Sequence, residues 1–435
     1  MPSLRTGFHF LASKCPETFD MQNLRQLSRP SAGFLAVALI AALPAGVSNR
    51  AFDDWPQWRG PNRDGRSAET GLLKDWPAGG PPLAWRATGA GEGYSSFATS
   101  QGRLFTLGAR GGTEYVVAFD AASGKRLWET AHGTRFSNDR GDGPRATPTI
   151  DGDRVYAFGA SGDLSVLDAA TGKVHWTLNV LKQFRGSNIQ WGLSESPLVL
   201  EDRILVNAGG TIVALSKIDG KQIWTTAGDE AGYSSAVAHR VGEVREAIFF
   251  TGQRVLAVDV SSGRQLWSYG QVANNVANIA TPIVRGNRVF VSSDYGTGSA
   301  LLELNASGKD VTAREIYFTR QMKNHHATSI LVGEFLYGFD SAILTSMDFN
   351  TGKVAWQNRS VGKGSLTFAD ERLYLYGENG TVGLAEASPT GYREHGRFEL
   401  KTGRLPAWSH PVVSGGKLFL RDQDAIYAYN VKATP

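Results

Sequence analysis

A pattern of alternating apolar and polar positions recurs along the chain. In each copy an apolar stretch ends in a polar turn with a glycine, and a tryptophan follows four residues after that glycine. Apolar residues at every second position predict a β-strand, and a turn between two such stretches predicts a hairpin. The five clearest copies are VVAFDAASGKRLW (116–128), LSVLDAATGKVHW (164–176), IVALSKIDGKQIW (212–224), VLAVDVSSGRQLW (255–267) and LTSMDFNTGKVAW (344–356).

The turn of each copy has the residue types that a tight hairpin needs. An aspartate such as Asp120 accepts hydrogen bonds from turn amides, and glycine allows the positive φ of a bulged turn. A single hairpin cannot bury both of its faces, so we expect the copies to stack side by side. Weaker copies at 301–318, 383–398 and 426–430 fill the gaps. The last copy lacks its return strand, which we assign to PLAWRA at 82–87.

A second set of short segments counts the repeating units. Eight segments, such as YSSFAT (94–99) and IATPIV (279–284), precede the hairpins, and most lead into a turn and a further strand. The sequence therefore predicts an all-β fold, an eight-bladed β-propeller of four-stranded antiparallel blades whose ring is closed by the N-terminal strand. Because the repeat tryptophans share one spacing, we expect them to pack between blades as structural docking residues. They are Trp85, Trp128, Trp176, Trp224, Trp267 and Trp356.

The candidate binding residues lie where the repeat loses its regularity. When the eight short segments are aligned, one position holds a hydroxyl residue in seven of them, whereas the position two residues earlier varies. If this variable position leads into the innermost strand of each blade, its side chains surround the mouth of the central channel. The variable position holds Tyr94, Arg145, Ser194, Tyr233, Ile279, His326, Lys363 and Trp408.

From this column and its neighbours the sequence singles out nine candidate ligand- or cofactor-binding residues. Cations, aromatic rings and one carboxylate in a single ring suit a pocket for a planar anion or a polar peptide, and the same set equally suits an ordinary solvated channel mouth. The nine are Tyr94, Arg145, Glu195, Tyr233, Asn278, His325, His326, Lys363 and Trp408.

The sequence identifies no catalytic residue and predicts no metal site. His325 and His326 are adjacent, and adjacent strand residues point to opposite faces, so we expect them not to share an ion. Acids in glycine-rich loops suit calcium by type, although capping of turn amides explains them as well. These acids are Asp294, Asp340, Glu378, Asp422 and Asp424.

The N-terminal residues have the layout of a secretory signal peptide. An apolar run at 33–43 follows Arg25 and Arg29 and precedes small residues, so we expect a signal peptide at 1–45, with translation starting at Met1 or Met21. We expect an extended segment at 46–80 and the propeller at 81–435. The expected location is periplasmic or extracellular, without a transmembrane anchor in the mature protein.

Charge and cysteine content narrow the class of protein. Lysine and arginine total 45 and aspartate and glutamate 41, and the two signs are mixed along the chain, which argues against a nucleic-acid partner. The single cysteine, Cys15, excludes an intrachain disulfide framework and an iron–sulfur cluster. Because Cys15 precedes the apolar run, it is not placed to carry a lipid anchor.

The repeat resembles a known superfamily. AFDAASGKRLW (118–128) and AVDVSSGRQLW (257–267) resemble the tryptophan-docking motif of pyrroloquinoline-quinone (PQQ) repeat propellers, which include quinoprotein dehydrogenases and the outer-membrane assembly factor BamB. The segments at 53–65, 324–340 and 420–432 resemble uncharacterised exported bacterial proteins of this kind. The resemblance covers residues 80–432.

The resemblance implies an exported, non-catalytic scaffold of the cell envelope that works as a monomer and binds an envelope protein or peptide without a cofactor. The alternative is a PQQ-dependent dehydrogenase that oxidises alcohols or sugars, with PQQ and calcium at the channel mouth and with Arg145 and Lys363 pairing with PQQ carboxylates. A third hypothesis, glycan binding or hydrolysis, rests on the aromatic residues and acids at the mouth.

Overall fold

The computed structural model describes residues 54–433, so the predicted signal peptide at 1–45 lies outside the described residues. The described residues form eight antiparallel sheets of four strands each, arranged in a ring. This architecture confirms the predicted eight-bladed β-propeller. The one helix assigned within this range, α1 (Val180–Phe184), is a single turn in a connecting loop. No helix within residues 54–433 has the length and apolar character to cross a membrane.

The strands follow one another blade by blade along the chain. They are β1 (Leu83–Ala87), β2 (Ala98–Ser100), β3 (Arg103–Arg110), β4 (Thr113–Asp120), β5 (Arg126–Thr134), β6 (Thr149–Asp151), β7 (Arg154–Phe158), β8 (Asp163–Asp168), β9 (Val174–Asn179), β10 (Leu198–Leu200), β11 (Arg203–Asn207), β12 (Thr211–Ser216), β13 (Gln222–Ala227), β14 (Val237–Val241), β15 (Val244–Phe250), β16 (Val255–Asp259), β17 (Gln265–Tyr269), β18 (Ile283–Arg285), β19 (Arg288–Ser293), β20 (Gly298–Ser307), β21 (Asp310–Thr319), β22 (Ile330–Val332), β23 (Phe335–Asp340), β24 (Ile343–Asp348), β25 (Val354–Asn358), β26 (Gly364–Ala369), β27 (Arg372–Gly377), β28 (Thr381–Glu386), β29 (Glu394–Glu399), β30 (Val412–Ser414), β31 (Lys417–Asp422) and β32 (Ala425–Asn430).

The ring closes through the N-terminal strand, as predicted. Strand β1 pairs antiparallel with β32, from Leu83 opposite Tyr429 to Ala87 opposite Ile426. Blade 8 therefore consists of β1 together with β30–β32, whereas blades 1 to 7 each take four consecutive strands, starting with β2–β5. This closure leaves no blade with a missing outer strand.

The repeated hairpin forms because its polar residues satisfy the turn. In blade 2 the Asp168 Oδ1 atom accepts hydrogen bonds from the amides of Ala170 (3.1 Å) and Thr171 (2.8 Å). Gly172 adopts a φ of 72°, and a bulge between Val166 and Leu167 brings the return strand into register. The same residue types at the same spacing therefore produce the same hairpin in successive blades.

The repeat tryptophans lie on the outer strands. In five of the six, the indole Nε1 atom donates to a backbone carbonyl of the next blade at 2.8–3.4 Å. Trp267 differs, because its Nε1 donates to the buried Glu246 carboxylate of its own blade at 2.8 Å. Tyr317 replaces tryptophan in blade 5, and its hydroxyl donates to the Phe349 carbonyl at 2.9 Å. The docking role remains a prediction about stability.

Seven of the eight innermost strands are shorter than the six-residue segments that predict them, and β26 alone among them keeps six residues. Strand β2 begins at Ala98 rather than at Tyr94, because the Tyr94 amide donates to the Pro144 carbonyl of the neighbouring blade at 2.9 Å. The Tyr233 amide likewise donates to the Asn278 carbonyl at 2.8 Å. The residues before each inner strand therefore form loops around the channel axis, while apolar residues between the sheets form the core.

Candidate functional site

A cavity of about 500 Å³ lies at one end of the inner strands, and we call it the funnel. All eight residues of the variable column line it, so every blade contributes to its wall. A further wall residue, Trp58, comes from the extended segment that precedes the propeller. The lining residues are Trp58, Tyr94, Arg140, Arg145, Trp191, Ser194, Tyr233, Ser235, Val276, Ile279, Tyr295, His325, His326, Lys363, Trp408 and His410.

Seven of the nine candidate residues line the funnel, and the structure places Glu195 and Asn278 elsewhere. Glu195 is buried within its blade, where its carboxylate accepts the Asn207 amide, and burial raises its pKa to about 8. The Asn278 amide nitrogen donates to the Thr251 and Gly252 carbonyls at 3.0 Å each. Glu195 directly follows Ser194, and Asn278 directly precedes Ile279, and both of these neighbours line the funnel. Adjacent residues direct their side chains differently, so the two candidates point away from the cavity.

Sequence reasoning missed several funnel residues for identifiable reasons. His410 interrupts the column of hydroxyl residues, and this irregularity was a usable signal. Trp191 and Val276 lie in interblade loops of differing length, and Tyr295 lies in the turn between β19 and β20, so none falls in an aligned column. Trp58 belongs to no repeat.

Paired aromatic rings form much of the funnel wall. The rings of Tyr94 and Trp408 lie 5.0 Å apart, and those of Trp191 and Tyr233 lie 5.5 Å apart. Tyr295 contacts His325 across a centroid distance of 5.3 Å. Tilted ring pairs at these distances attract each other, so each ring helps to hold its partner in its orientation. They offer apolar faces to a ligand.

Positive charge is concentrated in the funnel. The Arg145 guanidinium lies 4.9 Å from the ring centroid of Phe136 and donates to the Gly141 carbonyl at 2.6 Å. Burial lowers the pKa of Arg145, which nevertheless stays a cation at neutral pH. The Lys363 ammonium lies 3.6 Å from a carboxylate oxygen of Glu378. Among the described residues that line the funnel, none carries a carboxylate.

The funnel histidines are neutral. Burial first, and the nearby Lys363 cation second, lower the pKa of His325 to about 4, and burial likewise holds the pKa of His326 well below its usual range. Both rings line the funnel with centroids 5.9 Å apart. The expectation that they point to opposite faces was wrong, because residues 321–329 form a loop rather than a strand.

Several buried nitrogen atoms of the funnel have no hydrogen-bond partner. They are Nδ1 and Nε2 of His326, Nδ1 of His325, Nδ1 of His410 and Nε1 of Trp191. Buried polar atoms are rarely left unpaired in proteins, because each costs free energy. These atoms have almost no accessible surface, so they lie within the wall and present no hydrogen-bonding group to an occupant of the funnel.

Comparison with known proteins identifies the family. The family model that matches is PQQ_2, described as outer membrane protein assembly factor BamB, and it covers residues 112–358, more than half of the chain. The chain belongs to the PQQ_2 family. The extended segment that carries Trp58 lies outside the matched range.

Relatives of this PQQ_2 protein carry two kinds of name. It is 22% identical over 260 residues to BamB of Shewanella oneidensis, covering 55% of this chain and 62% of that protein. It is 23% identical over 398 residues to BamB of Burkholderia pseudomallei, covering 84% and 92%. It is 30% identical over 255 residues to quinohemoprotein alcohol dehydrogenase ADH IIB of Pseudomonas putida, covering 55% and 30%. The crystal structure of BamB from Moraxella catarrhalis matches with a TM-score of 0.59 at 14% identity, covering 80% of this chain and 99% of that one, which shows the shared fold.

The funnel of this PQQ_2 protein fits only part of a quinoprotein site. Aromatic walls with Arg145 and Lys363 suit a planar, carboxylate-bearing molecule. Calcium requires several oxygen ligands, usually including carboxylates, and the described residues that line the funnel include no aspartate or glutamate. Within residues 54–433 no group of three or more histidine, cysteine or acidic residues is placed to hold a metal ion. The residues present therefore do not fit calcium-assisted quinone chemistry.

The five loop acids are engaged in structural contacts instead. Asp424 accepts the Gly91 amide at 2.7 Å, and Asp422 accepts the Gly403 amide at 2.7 Å. The other three also accept hydrogen bonds. Asp294 accepts one from the Ser341 hydroxyl at 2.9 Å, Asp340 one from the Lys323 amide at 3.0 Å, and Glu378 one from the Trp408 indole at 3.0 Å. The donors in these bonds lie at least 17 residues away along the chain, so the acids join separate loops, and capping of their own turns stays a prediction.

Proposed function

We propose that this protein is an exported, non-catalytic binding propeller of the bacterial cell envelope, related in role to BamB, in which a protein or peptide partner binds at the funnel. One observation carries the proposal: the funnel combines aromatic walls with cations, and none of its described lining residues carries a carboxylate. Glycoside hydrolysis normally uses a pair of carboxylates, whereas recognition of an anionic partner is favoured without them.

The rim of the funnel supports a macromolecular partner. Val276 and Tyr295 are 41% and 42% exposed, although large apolar side chains are usually buried. Both lie at the cavity, where exposed apolar groups surrounded by polar residues are typical of interaction sites. The predicted signal peptide and the BamB relatives support a periplasmic or extracellular location for a monomeric mature chain.

The experiment that tests this function uses a deletion strain of the source organism, complemented with variants. Loss of the protein should lower the abundance of outer-membrane proteins, and the wild type should restore it. The double variant Arg145→Ala/Lys363→Ala should fail to restore it at equal protein level. The matched control is Lys221→Ala, whose side chain is 84% exposed in an outer hairpin. Normal outer-membrane protein levels in the deletion strain would contradict the proposed role.

A PQQ-dependent dehydrogenase remains the second candidate, favoured by the cationic and aromatic funnel and by the alcohol dehydrogenase relative. Titration of the mature protein with PQQ, with and without calcium, tests it. Saturable binding that Arg145→Ala abolishes, together with dye-linked oxidation of alcohols or sugars, would establish the dehydrogenase. Binding without oxidation would leave a ligand site in a non-catalytic protein.

A further inference from the structure

A buried carboxylate lies behind the funnel wall, between blades 1 and 2. It belongs to Glu114 in β4, whose side chain is fully buried. The Oε1 atom accepts the Phe136 amide at 3.3 Å, and Oε2 accepts the Ala160 amide at 3.2 Å. Phe136 lies in the loop 135–148 that links blades 1 and 2, and Ala160 lies in the turn 159–162 between β7 and β8. One carboxylate therefore joins a loop of the funnel to the next blade.

Both segments that Glu114 joins support the funnel wall. The Phe136 ring lies under the Arg145 guanidinium, with a distance of 4.9 Å from the guanidinium carbon to the ring centroid. On the other side, the Ala160 carbonyl accepts the Leu193 amide at 3.1 Å and the side-chain amide of Asn188 at 3.0 Å. These two donors lie in the loop that leads into β10. The positions of two funnel loops therefore depend on the same carboxylate.

The His132 ring beside this carboxylate has an acceptor atom without a donor. Its Nδ1 atom lies 2.9 Å from the Ser165 hydroxyl oxygen, and its Nε2 atom has no hydrogen-bond partner among the residues that the structure describes. The Thr177 hydroxyl donates to the Leu164 carbonyl at 3.3 Å, so the Ser165 hydroxyl donates to Thr177 at 3.0 Å. The Ser165 oxygen therefore accepts from Nδ1–H of His132. The proton is on Nδ1, and Nε2 carries a free lone pair.

Gly159 leaves the space between the carboxylate and the free lone pair open. A Cβ atom added at Gly159 would lie 2.7 Å from Oε2 of Glu114 and 3.0 Å from Nε2 of His132. An ionised carboxylate only accepts hydrogen bonds, so it cannot satisfy Nε2. A protonated carboxyl group has an O–H donor, and a small rotation over Gly159 directs this donor to Nε2. The same oxygen thus has one partner in each protonation state.

The charged groups around Glu114 allow it to change state near neutral pH. Burial raises the pKa of Glu114 to about 7, against the two amides that it accepts and the Arg145 cation of loop 135–148, and Asp163 of β8 adds to the increase. Burial lowers the pKa of His132 to about 4, although Asp163 opposes this shift. The imidazole therefore stays neutral over the range in which the carboxyl group titrates.

We propose that Glu114 is a proton-controlled latch that fixes the funnel wall when ionised and releases it when protonated. The ionised carboxylate accepts the Phe136 and Ala160 amides and joins loop 135–148 to blade 2. When Oε2 takes up a proton from solvent, it donates to Nε2 of His132 and leaves the Ala160 amide. The unpaired Nε2 shows that the structure holds the closed, ionised form. This inference goes beyond the proposed binding function and does not depend on it.

The test is hydrogen–deuterium exchange of the purified mature protein, followed by mass spectrometry at about pH 5.5 and about pH 8.5, on either side of the Glu114 pKa. Protection is the ratio of exchange rates in the unstructured peptide and in the protein at the same pH, which removes the intrinsic pH dependence. We expect protection of peptides covering 134–148 and 158–163 to fall roughly ten-fold at the lower pH, because a charge-assisted hydrogen bond is lost. Peptides covering the loop 270–282 should keep their protection.

Two variants separate the roles of the carboxyl group and the imidazole. The amide of Glu114→Gln accepts one hydrogen bond and donates to His132, so this variant imitates the protonated form and should show low protection at both pH values. His132→Phe removes the acceptor of the protonated form, so the midpoint of the transition should move down by about one pH unit. The matched control is Glu246→Gln, a buried carboxylate of blade 4 that contacts His239 and Trp267. It should keep the wild-type pH dependence at 134–148.

Each result supports or overturns a separate part of the proposal. Equal protection of 134–148 at both pH values in the wild type would overturn the latch. A pH dependence that persists in Glu114→Gln would place the proton on another group and overturn the assignment to Glu114. An unchanged midpoint in His132→Phe would overturn the imidazole as the partner of the protonated form. Circular dichroism confirms that each variant is folded, and the wild-type measurement decides the first point without any variant.

Discussion

Trp224 and Gly263 form a contact between blades 3 and 4 whose energy can be isolated. Trp224 is 8% exposed, and its Nε1 atom donates to the Val260 carbonyl at 3.0 Å. A Cβ atom added at Gly263 would lie 2.5 Å from the Cε3 atom of Trp224 and 2.7 Å from the Thr226 hydroxyl. The indole therefore packs directly against the glycine of the next hairpin.

The expected magnitudes follow from this geometry. Trp224→Ala removes a buried ring and should cost about 3–5 kcal/mol of unfolding free energy. Gly263→Ala should cost about 1–3 kcal/mol through overlap with the ring, and roughly 1 kcal/mol more because φ is +75° there. In the double variant the ring is absent, so the overlap with it disappears, whereas the backbone strain and the Thr226 contact remain. The two costs should therefore sum to about 1–2 kcal/mol more than the double variant loses.

The assay is urea unfolding of wild type, both single variants and the double variant, followed by tryptophan fluorescence and circular dichroism. A change in midpoint at constant slope gives each difference in free energy. Costs that add within about 0.5 kcal/mol would refute direct packing of the ring on the glycine. A Trp224→Ala cost below about 1 kcal/mol would refute the docking role predicted for the repeat tryptophans.

Three further predictions concern Arg63 in the extended segment before the propeller, a hairpin turn and a buried histidine. Arg63→Ala removes the guanidinium that donates to the Ser196 and Ala236 carbonyls, whereas the Pro197 carbonyl keeps the Thr149 hydroxyl as a donor, and it should lower the unfolding free energy by about 2 kcal/mol or more, measured by urea unfolding. Asp168→Ala removes the turn acceptor and should cost about 1 kcal/mol in the same assay. Burial alone lowers the pKa of His239, but hydrogen bonds to Glu246 and Gly286 outweigh burial and raise it. Its contribution is therefore complete below the unfolded pKa of about 6.5 and is lost as pH rises through the folded value, so His239→Gln should destabilise more at low than at high pH.

The fold was predictable because it is built from one repeated local structure. The aspartate and glycine of each hairpin form its turn within a few residues, as Asp168 and Gly172 do, so local sequence carries this information. The tryptophan follows at a fixed spacing and docks on the next blade, as Trp176 does on Lys217. Five concordant copies then imply a ring. The lengths of the inner strands were less predictable, because bonds such as that from the Tyr94 amide to the Pro144 carbonyl join residues of different blades.

The site was predictable only where it follows the repeat. Every member of the variable column lines the funnel, because equivalent positions in equivalent blades face the same axis. Glu195 and Asn278 were included as sequence neighbours, and their side chains turn to backbone groups instead. Trp58 lies more than two hundred residues from Thr281, its hydrogen-bond partner, and no spacing rule connects them.

The most direct test of a partner at the funnel is site-specific photo-crosslinking in cells. A benzophenone amino acid is introduced at Val276, which is 41% exposed on the funnel rim, and at Ile218, which is 67% exposed in an outer hairpin. We predict that irradiation links one discrete envelope protein at Val276, that Arg145→Ala reduces this product, and that Ile218 gives none of it. The same product at both positions, or its absence at Val276, would contradict binding of an envelope partner at the funnel.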